Sequence, residues 1–267
     1  MGRERRELVA VTKTKFALGD PCWIDITTSD SEKVRGFYAG IFGWAAGEAN
    51  EEFGGYFQFF NDGAPVAGVA PNFAGDDAPN VWSVYLNTAD ANAAIARCHE
   101  HGGKVAVEAM QVGDLGTMAV VVDPSGATVG IWAPMEFVGL GVVGETGSPV
   151  WFELHTNAFD DAVGFYRDVF EWKTESMSDS DEFRYAVVDG GENGVAGVFD
   201  ATSSLGDQLP QWVVYFGVDN VDNTVAEVTR LGGRLLSGAE NTPYGVMATV
   251  ADPSGATFRL LANSPQA

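Results

Sequence analysis

Cysteine, histidine and basic residues are all scarce in this chain of 267 residues. Two cysteines, Cys22 and Cys98, leave no disulfide framework and no thiolate zinc site, so the expected compartment is a reducing cytoplasm. Three histidines (His99, His101, His155) restrict imidazole-based metal chemistry. Lysine and arginine number 15 against 37 acidic residues, a net charge of −22, and five of the 15 lie in the first fifteen positions. A body this acidic repels phosphate backbones and anionic headgroups, because counterion release needs cations on the protein. Nucleic-acid and membrane partners are therefore not expected. No apolar run approaches the roughly 20 residues that span a bilayer. Near the start, Val9-Ala10-Val11 is followed at once by Thr-Lys-Thr-Lys, which breaks the apolar stretch of a signal peptide. Residues 1–15 read as a disordered, solvated tail.

What the chain does have is repetition. Residues 19–44 and 147–172 align without a gap at an offset of 128 and share nine of 26 positions, including Trp23/Trp151, Tyr38/Tyr166 and Trp44/Trp172. Asp123-Pro-Ser-Gly-Ala-Thr128 recurs letter for letter as Asp252-Pro-Ser-Gly-Ala-Thr257, and Trp82-x-Val84-Tyr85 recurs as Trp212-x-Val214-Tyr215. A period this long means duplicated domains, not a short-repeat solenoid.

Each half opens on a strand of alternating bulky and polar residues, Trp23 to Thr28 in the first. A helix follows, with Val34, Phe37, Tyr38, Ile41 and Phe42 on one face and Ser29 or Asp30 placed to cap it. The second half repeats this with Ala162, Phe165, Tyr166, Val169 and Phe170. Short strands come next, near 56–60, 66–69, 183–188 and 195–199. A second strand–helix unit starts at Val81 and ends its helix at Gly102-Gly103, matched by Gly232-Gly233. The Asp-Pro-Ser-Gly turns join the closing strands. The implied boundaries are 16–134 and 148–263, with a Gly-rich linker over 135–147.

This combination resembles the vicinal oxygen chelate superfamily of glyoxalase I, extradiol dioxygenases and bleomycin-resistance proteins. Its two-domain form is similar to an actinobacterial subgroup of glyoxalase-like proteins. The resemblance implies an α+β fold of four βαβββ modules in tandem, each domain a curved mixed sheet around a cavity with helices outside. It also implies where metal ligands would stand: Trp23, Ser83 and Gly130 in the first half, Trp151, Val213 and Arg259 in the second. Indole nitrogen only donates, and none of the six supplies imidazole or carboxylate, so neither a metal nor any other cofactor is expected.

Strand alternation puts Asp25 and Thr27 on the face of Trp23, and Glu153 and His155 on the face of Trp151. Asp25, Glu153 and His155 are the acid–base candidates. An indole-walled carboxyl would have its acidity weakened towards proton transfer, with Glu153 and His155 the better pair. Arg259 would face Glu153 and pair with it. Trp23, Trp151, Tyr56, Phe57, Phe59, Tyr85 and Trp132, with Trp82 beside them, could sandwich a planar apolar molecule anchored by the two acids, and Arg259 is a further candidate for ligand contact. The bland readings are acids bonded across a sheet, Cys22 as a small core residue on the opposite strand face, and His99 and His101 exposed at a helix end. The expected partner is a small molecule. The first reading is binding of an aromatic or hydrophobic ligand, and the alternative is a metal-independent lyase, isomerase or hydroxylase-type enzyme. A metal-dependent glyoxalase comes last. The open sheet edges leave room for a homodimer, with modules paired within one chain or swapped between two.

Overall fold

The computed structural model describes residues 15–72, 79–180, 182–190 and 194–262. The expected tail over 1–15 lies outside them, apart from Lys15. Strand β1 (Pro21–Thr28) shows the predicted alternation: Cys22, Ile24 and Ile26 are fully buried, and Trp23, Asp25 and Thr27 occupy the other face. Asp30 then caps helix α1 (Ser31–Phe42), accepting from the Lys33 amide at 2.9 Å, and the left-handed Gly43 ends it. Strands β2 (Ala45–Ala46), β3 (Phe57–Asn61) and β4 (Ala64–Pro71) complete the module. The second module is β5 (Val81–Asn87), α2 (Ala91–Glu100), β6 (Lys104–Val112), β7 (Gly116–Val122) and β8 (Thr128–Pro134).

The two modules join at their first strands. β1 runs antiparallel to β5 and parallel to β4, giving one sheet in the order β2-β3-β4-β1-β5-β8-β7-β6. The second half repeats the plan with β9 (Pro149–Thr156), α3 (Phe159–Phe170), β10 (Thr174–Asp179), β11 (Arg184–Val188), β12 (Ala196–Asp200), β13 (Gln211–Gly217), α4 (Val221–Arg230), β14 (Arg234–Thr242), β15 (Gly245–Ala251) and β16 (Thr257–Ala262). Its order is β10-β11-β12-β9-β13-β16-β15-β14. Both sheets of the α+β fold stay open and do not close into barrels. In each, the modules pair within the chain.

The shared residues of the repeat turn out to lie largely between the domains. Tyr38 of α1 donates to Asp252 Oδ2 of the other half at 3.3 Å, and Tyr166 of α3 donates to Asp123 Oδ2 at 3.1 Å. Each tyrosine oxygen in turn accepts from an indole of its own domain, Trp82 at 3.1 Å and Trp212 at 2.9 Å. Trp44 Nε1 donates to Gly147 O, and Trp172 Nε1 to Gly19 O. The repeated aspartates hold their own turns as well, Asp123 Oδ1 accepting from the Ser125, Gly126 and Ala127 amides. Trp82 therefore packs in this interdomain core, against Tyr38 and Phe216. Helix α1 packs on α4, α2 packs on α3, and one buried apolar cluster runs through both halves.

The Gly-Gly helix ends serve this packing. A Cβ on Gly103 would lie 2.8 Å from the Phe165 ring, and one on Gly233 would lie 3.0 Å from the Phe37 ring. The linker is threaded, not loose: Leu140 is fully buried, its amide donates to Cys22 O, and Gly141 donates to Pro65 O. Among the described residues no helix is long and apolar enough to cross a membrane.

Candidate functional site

The face of the first sheet turned away from the helices carries a small polar cluster. β1 presents Trp23 and Asp25, and β5 presents Ser83 and Tyr85 directly opposite, Asp25 facing Ser83 and Trp23 facing Tyr85 in the register. Tyr85 donates to Asp25 Oδ2 at 2.9 Å, and Trp23 Nε1 donates to the Tyr56 hydroxyl at 2.9 Å. Two glycines make room for these rings. A Cβ on Gly68 would sit 1.9 Å from the Tyr56 hydroxyl oxygen, and one on Gly130 would sit 2.2 Å from the Tyr85 ring. Asp25 is 6% exposed. Burial pushes its carboxyl up to about 7, against the lowering effect of the bonds from Tyr85 and Ser83. Phe137 of the linker covers one side, edge-on to Trp23 at 4.8 Å, and its carbonyl accepts from Trp132 Nε1.

The second sheet builds the same cluster with different chemistry. Trp151 Nε1 donates to the Tyr185 hydroxyl at 2.9 Å, and Tyr185 donates onward to Glu153 Oε2 at 2.6 Å. Glu153 Oε1 receives Tyr215 at 2.5 Å and lies 2.6 Å from His155 Nε2. Arg259 Nη1 donates to the Tyr215 hydroxyl and stands 3.7 Å from Glu153 Oε1, which is the expected pair. Burial works to raise Glu153, but the bonds from His155, Tyr185 and Tyr215 outweigh it and hold the carboxyl below its ordinary value. The acid whose strength is weakened is thus Asp25, and Glu153 departs from the expectation because it has more donors. A cleft of about 120 Å³ opens beside Arg259, between Ser237, Glu240, Met247 and Thr249. A larger depression of about 230 Å³ lies by Asp90, Thr117 and Met135, lined by none of the residues of either cluster.

Of the residues singled out from the sequence, Asp25, Trp23, Tyr56 and Tyr85 come together on one face, and Glu153, His155, Trp151 and Arg259 on the other. Trp132 stands at the rim of the first cluster, under Phe137. Phe59 does not join it. It points to the opposite side of the sheet, fully buried against Tyr38 and Trp44, because strand β3 puts residues 57 and 59 on the core face. Cys22 is a buried core residue, and His99 and His101 are exposed, as expected. Tyr185 and Tyr215 were missed. The recurrence of Trp-x-Val-Tyr pointed to Tyr215 as the counterpart of Tyr85, whereas Tyr185 follows from no repeated motif.

The positions that the resemblance assigns to metal ligands hold poor donors for a divalent ion. The Trp23 and Trp151 indoles spend their N–H on tyrosines, the Tyr85 ring fills the room over Gly130, and a guanidinium stands at 259. Among the described residues no group of three His, Cys, Asp or Glu side chains is arranged to hold a metal.

Models of known families place the chain by both its halves: residues 22–131 and 148–260 match the Glyoxalase/Bleomycin resistance protein/Dioxygenase superfamily. The chain belongs to that superfamily. CFP32 of Mycobacterium tuberculosis, named for a glyoxylase, is 32% identical over 259 residues, covering 95% of this chain and 98% of the relative. The anthracycline biosynthesis protein DauV of Streptomyces sp. is 36% identical over 266 residues, covering 93% and 94%. Among solved structures, the Mn(II)-bound glyoxalase from Novosphingobium aromaticivorans has a TM-score of 0.63 at 16% identity, covering 92% of this chain and 82% of that one. The 2,3-dioxygenase LapB from Pseudomonas sp. has a TM-score of 0.63 at 12% identity, covering 93% and 94%. Likeness at such identities shows a shared fold.

Proposed function

We propose that this superfamily member binds a small, planar, largely apolar molecule on the helix-free face of one or both sheets, without a divalent metal. The observation that carries the reading is the Trp–Tyr–carboxyl–Tyr cluster, built twice at the places where the superfamily's ligands to metal would stand. Rings supply flat contact area there, and one carboxyl with its tyrosines supplies polar anchoring. A net charge of −22 disfavours anionic ligands and leaves neutral or cationic ones. The anthracycline biosynthesis proteins among the relatives make a polycyclic aromatic compound a fitting class of ligand.

A second reading, metal-independent proton transfer, is favoured by one observation. The Asp25 carboxyl changes charge near neutral pH beside Tyr85, as a general acid or base should. Glu153 is less suited to that task, since its oxygens already receive two tyrosines and the His155 ring.

The test is a tryptophan-fluorescence titration with planar aromatic compounds and, separately, with zinc, nickel and iron salts. Saturable quenching by the aromatics and none by the metals is expected. Stoichiometric, tight metal in the purified protein would overturn the reading. Asp25→Asn separates binder from enzyme: lost turnover with retained affinity would establish catalysis.

A further inference from the structure

The internal repeat supplies a comparison within the chain, and the inference rests on the binding reading above. Domain 2 fills its own face. Phe183 stacks on Tyr185 with centroids 5.6 Å apart and planes at 9°, and Phe199 lies 5.8 Å from Phe183. Phe199 is the register partner of His155, and its ring meets the imidazole at 5.4 Å. In domain 1 the residue two before the equivalent tyrosine is Gly54, and the register partner of Thr27 is Ala70. Neither ring has a counterpart at these two positions of the first face, where Phe137 covers only the Trp23 side. Tyr56 is partly exposed there, while Tyr185 is buried.

The polar part differs in a matching way. Each tyrosine accepts from its indole at 2.9 Å, and each is seated on a glycine, Gly68 or Gly197. Tyr185 then donates to Glu153. Asp25 is one methylene shorter, and the Tyr56 hydroxyl donates to no acceptor among the described residues. That hydroxyl proton is left for a ligand oxygen that displaces water from the partly exposed ring, whereas the Tyr185 proton is already spent on Glu153.

We propose that domain 1 holds the ligand site and that it takes a planar aromatic ketone. The ring occupies the room that Phe183 and Phe199 fill in domain 2, and the carbonyl oxygen accepts from the Tyr56 hydroxyl. Domain 2 satisfies its own donors and rings and is the structural copy.

The experiment compares 9-fluorenone with fluorene, a ketone and a hydrocarbon of one outline, by calorimetry and tryptophan quenching on the full chain. The wild type should bind one fluorenone per chain at least tenfold more tightly than fluorene. Tyr56→Phe should bring that ratio close to one while fluorene affinity stays within about twofold. Ala70→Phe should abolish binding of both probes. Should Tyr56→Phe fail to fold, Asp25→Glu serves instead, because the longer acid can accept from Tyr56 and should likewise erase the preference. Equal affinity for the two probes, a preference that survives Tyr56→Phe or Asp25→Glu, or binding that persists in Ala70→Phe overturns this inference alone. Binding of neither probe by the wild type overturns both this inference and the binding reading beneath it.

Discussion

Asp25 and Glu153 occupy the same place in the two sheets, and the number of donors around each sets its acid strength. Tyr85 and Ser83 do not offset the burial of Asp25, whose carboxyl rises from an ordinary 3.8 to about 7. The folded protein then holds a proton that the unfolded chain gives up between these values, so stability falls as pH rises from about 4 to 7. Asp25→Asn removes the penalty. Its melting temperature should gain on the wild type across that window and level off above it, the full shift corresponding to about 4 kcal/mol. A pH-independent difference between the two melting curves would contradict this. Glu153 has the opposite sign. Its acidity is strengthened, so its contribution is present above the ordinary 4.5 and is lost as pH falls through the lower folded value. Glu153→Gln should cost about 2 kcal/mol at pH 7, and the gap should close in acid. Urea unfolding at pH 7 and pH 3.5 checks it. Strand alternation alone was enough to place both acids on one type of face. Their opposite behaviour was only half legible: His155, which helps lower Glu153, lies on the same strand and was in view, but Tyr185 and Tyr215, which add to it, arrive from other strands.

At the scale of elements, the tyrosine of each first helix reaches the Asp-Pro-Ser-Gly turn of the other domain. Tyr38→Phe and Tyr166→Phe each remove a donor from a buried carboxylate and should cost about 1–3 kcal/mol, read from denaturant midpoints. A neutral result for both would mean that these bonds do not hold the domains together. Gly103→Ala should destabilise by a similar amount, since its methyl group would press on Cys98, Phe165 and the Val122 carbonyl. The two first strands, the four helices and the closing strands were legible because they carry alternation, a helical apolar stripe or a turn motif. The outer strands β6 and β14 were not. They lie at sheet edges with mostly exposed side chains, so neither alternation nor an apolar run marks them. The motifs that carry the resemblance were also weak guides to the site: Tyr38, Trp44, Asp123 and their repeats bond between the two domains, away from both carboxyl clusters.

Over the whole molecule, one buried apolar cluster passes from Phe37 and Trp44 to Phe216 and Phe258 without a break. Two sheets so joined should unfold as one unit, and calorimetry should give a single transition with equal calorimetric and van't Hoff enthalpies. Two separated transitions would show the halves to be independent. The same packing turns each helix face inward and leaves the two carboxyl clusters on the remaining faces, of which the first lacks the Phe183 and Phe199 rings that fill the second. The most direct measurement is therefore a calorimetric titration of the purified protein with 9-fluorenone, run once in EDTA and once in excess manganese. Saturation at one ligand per chain with the same affinity in both buffers is the expected result. Heat that appears only with manganese would contradict it.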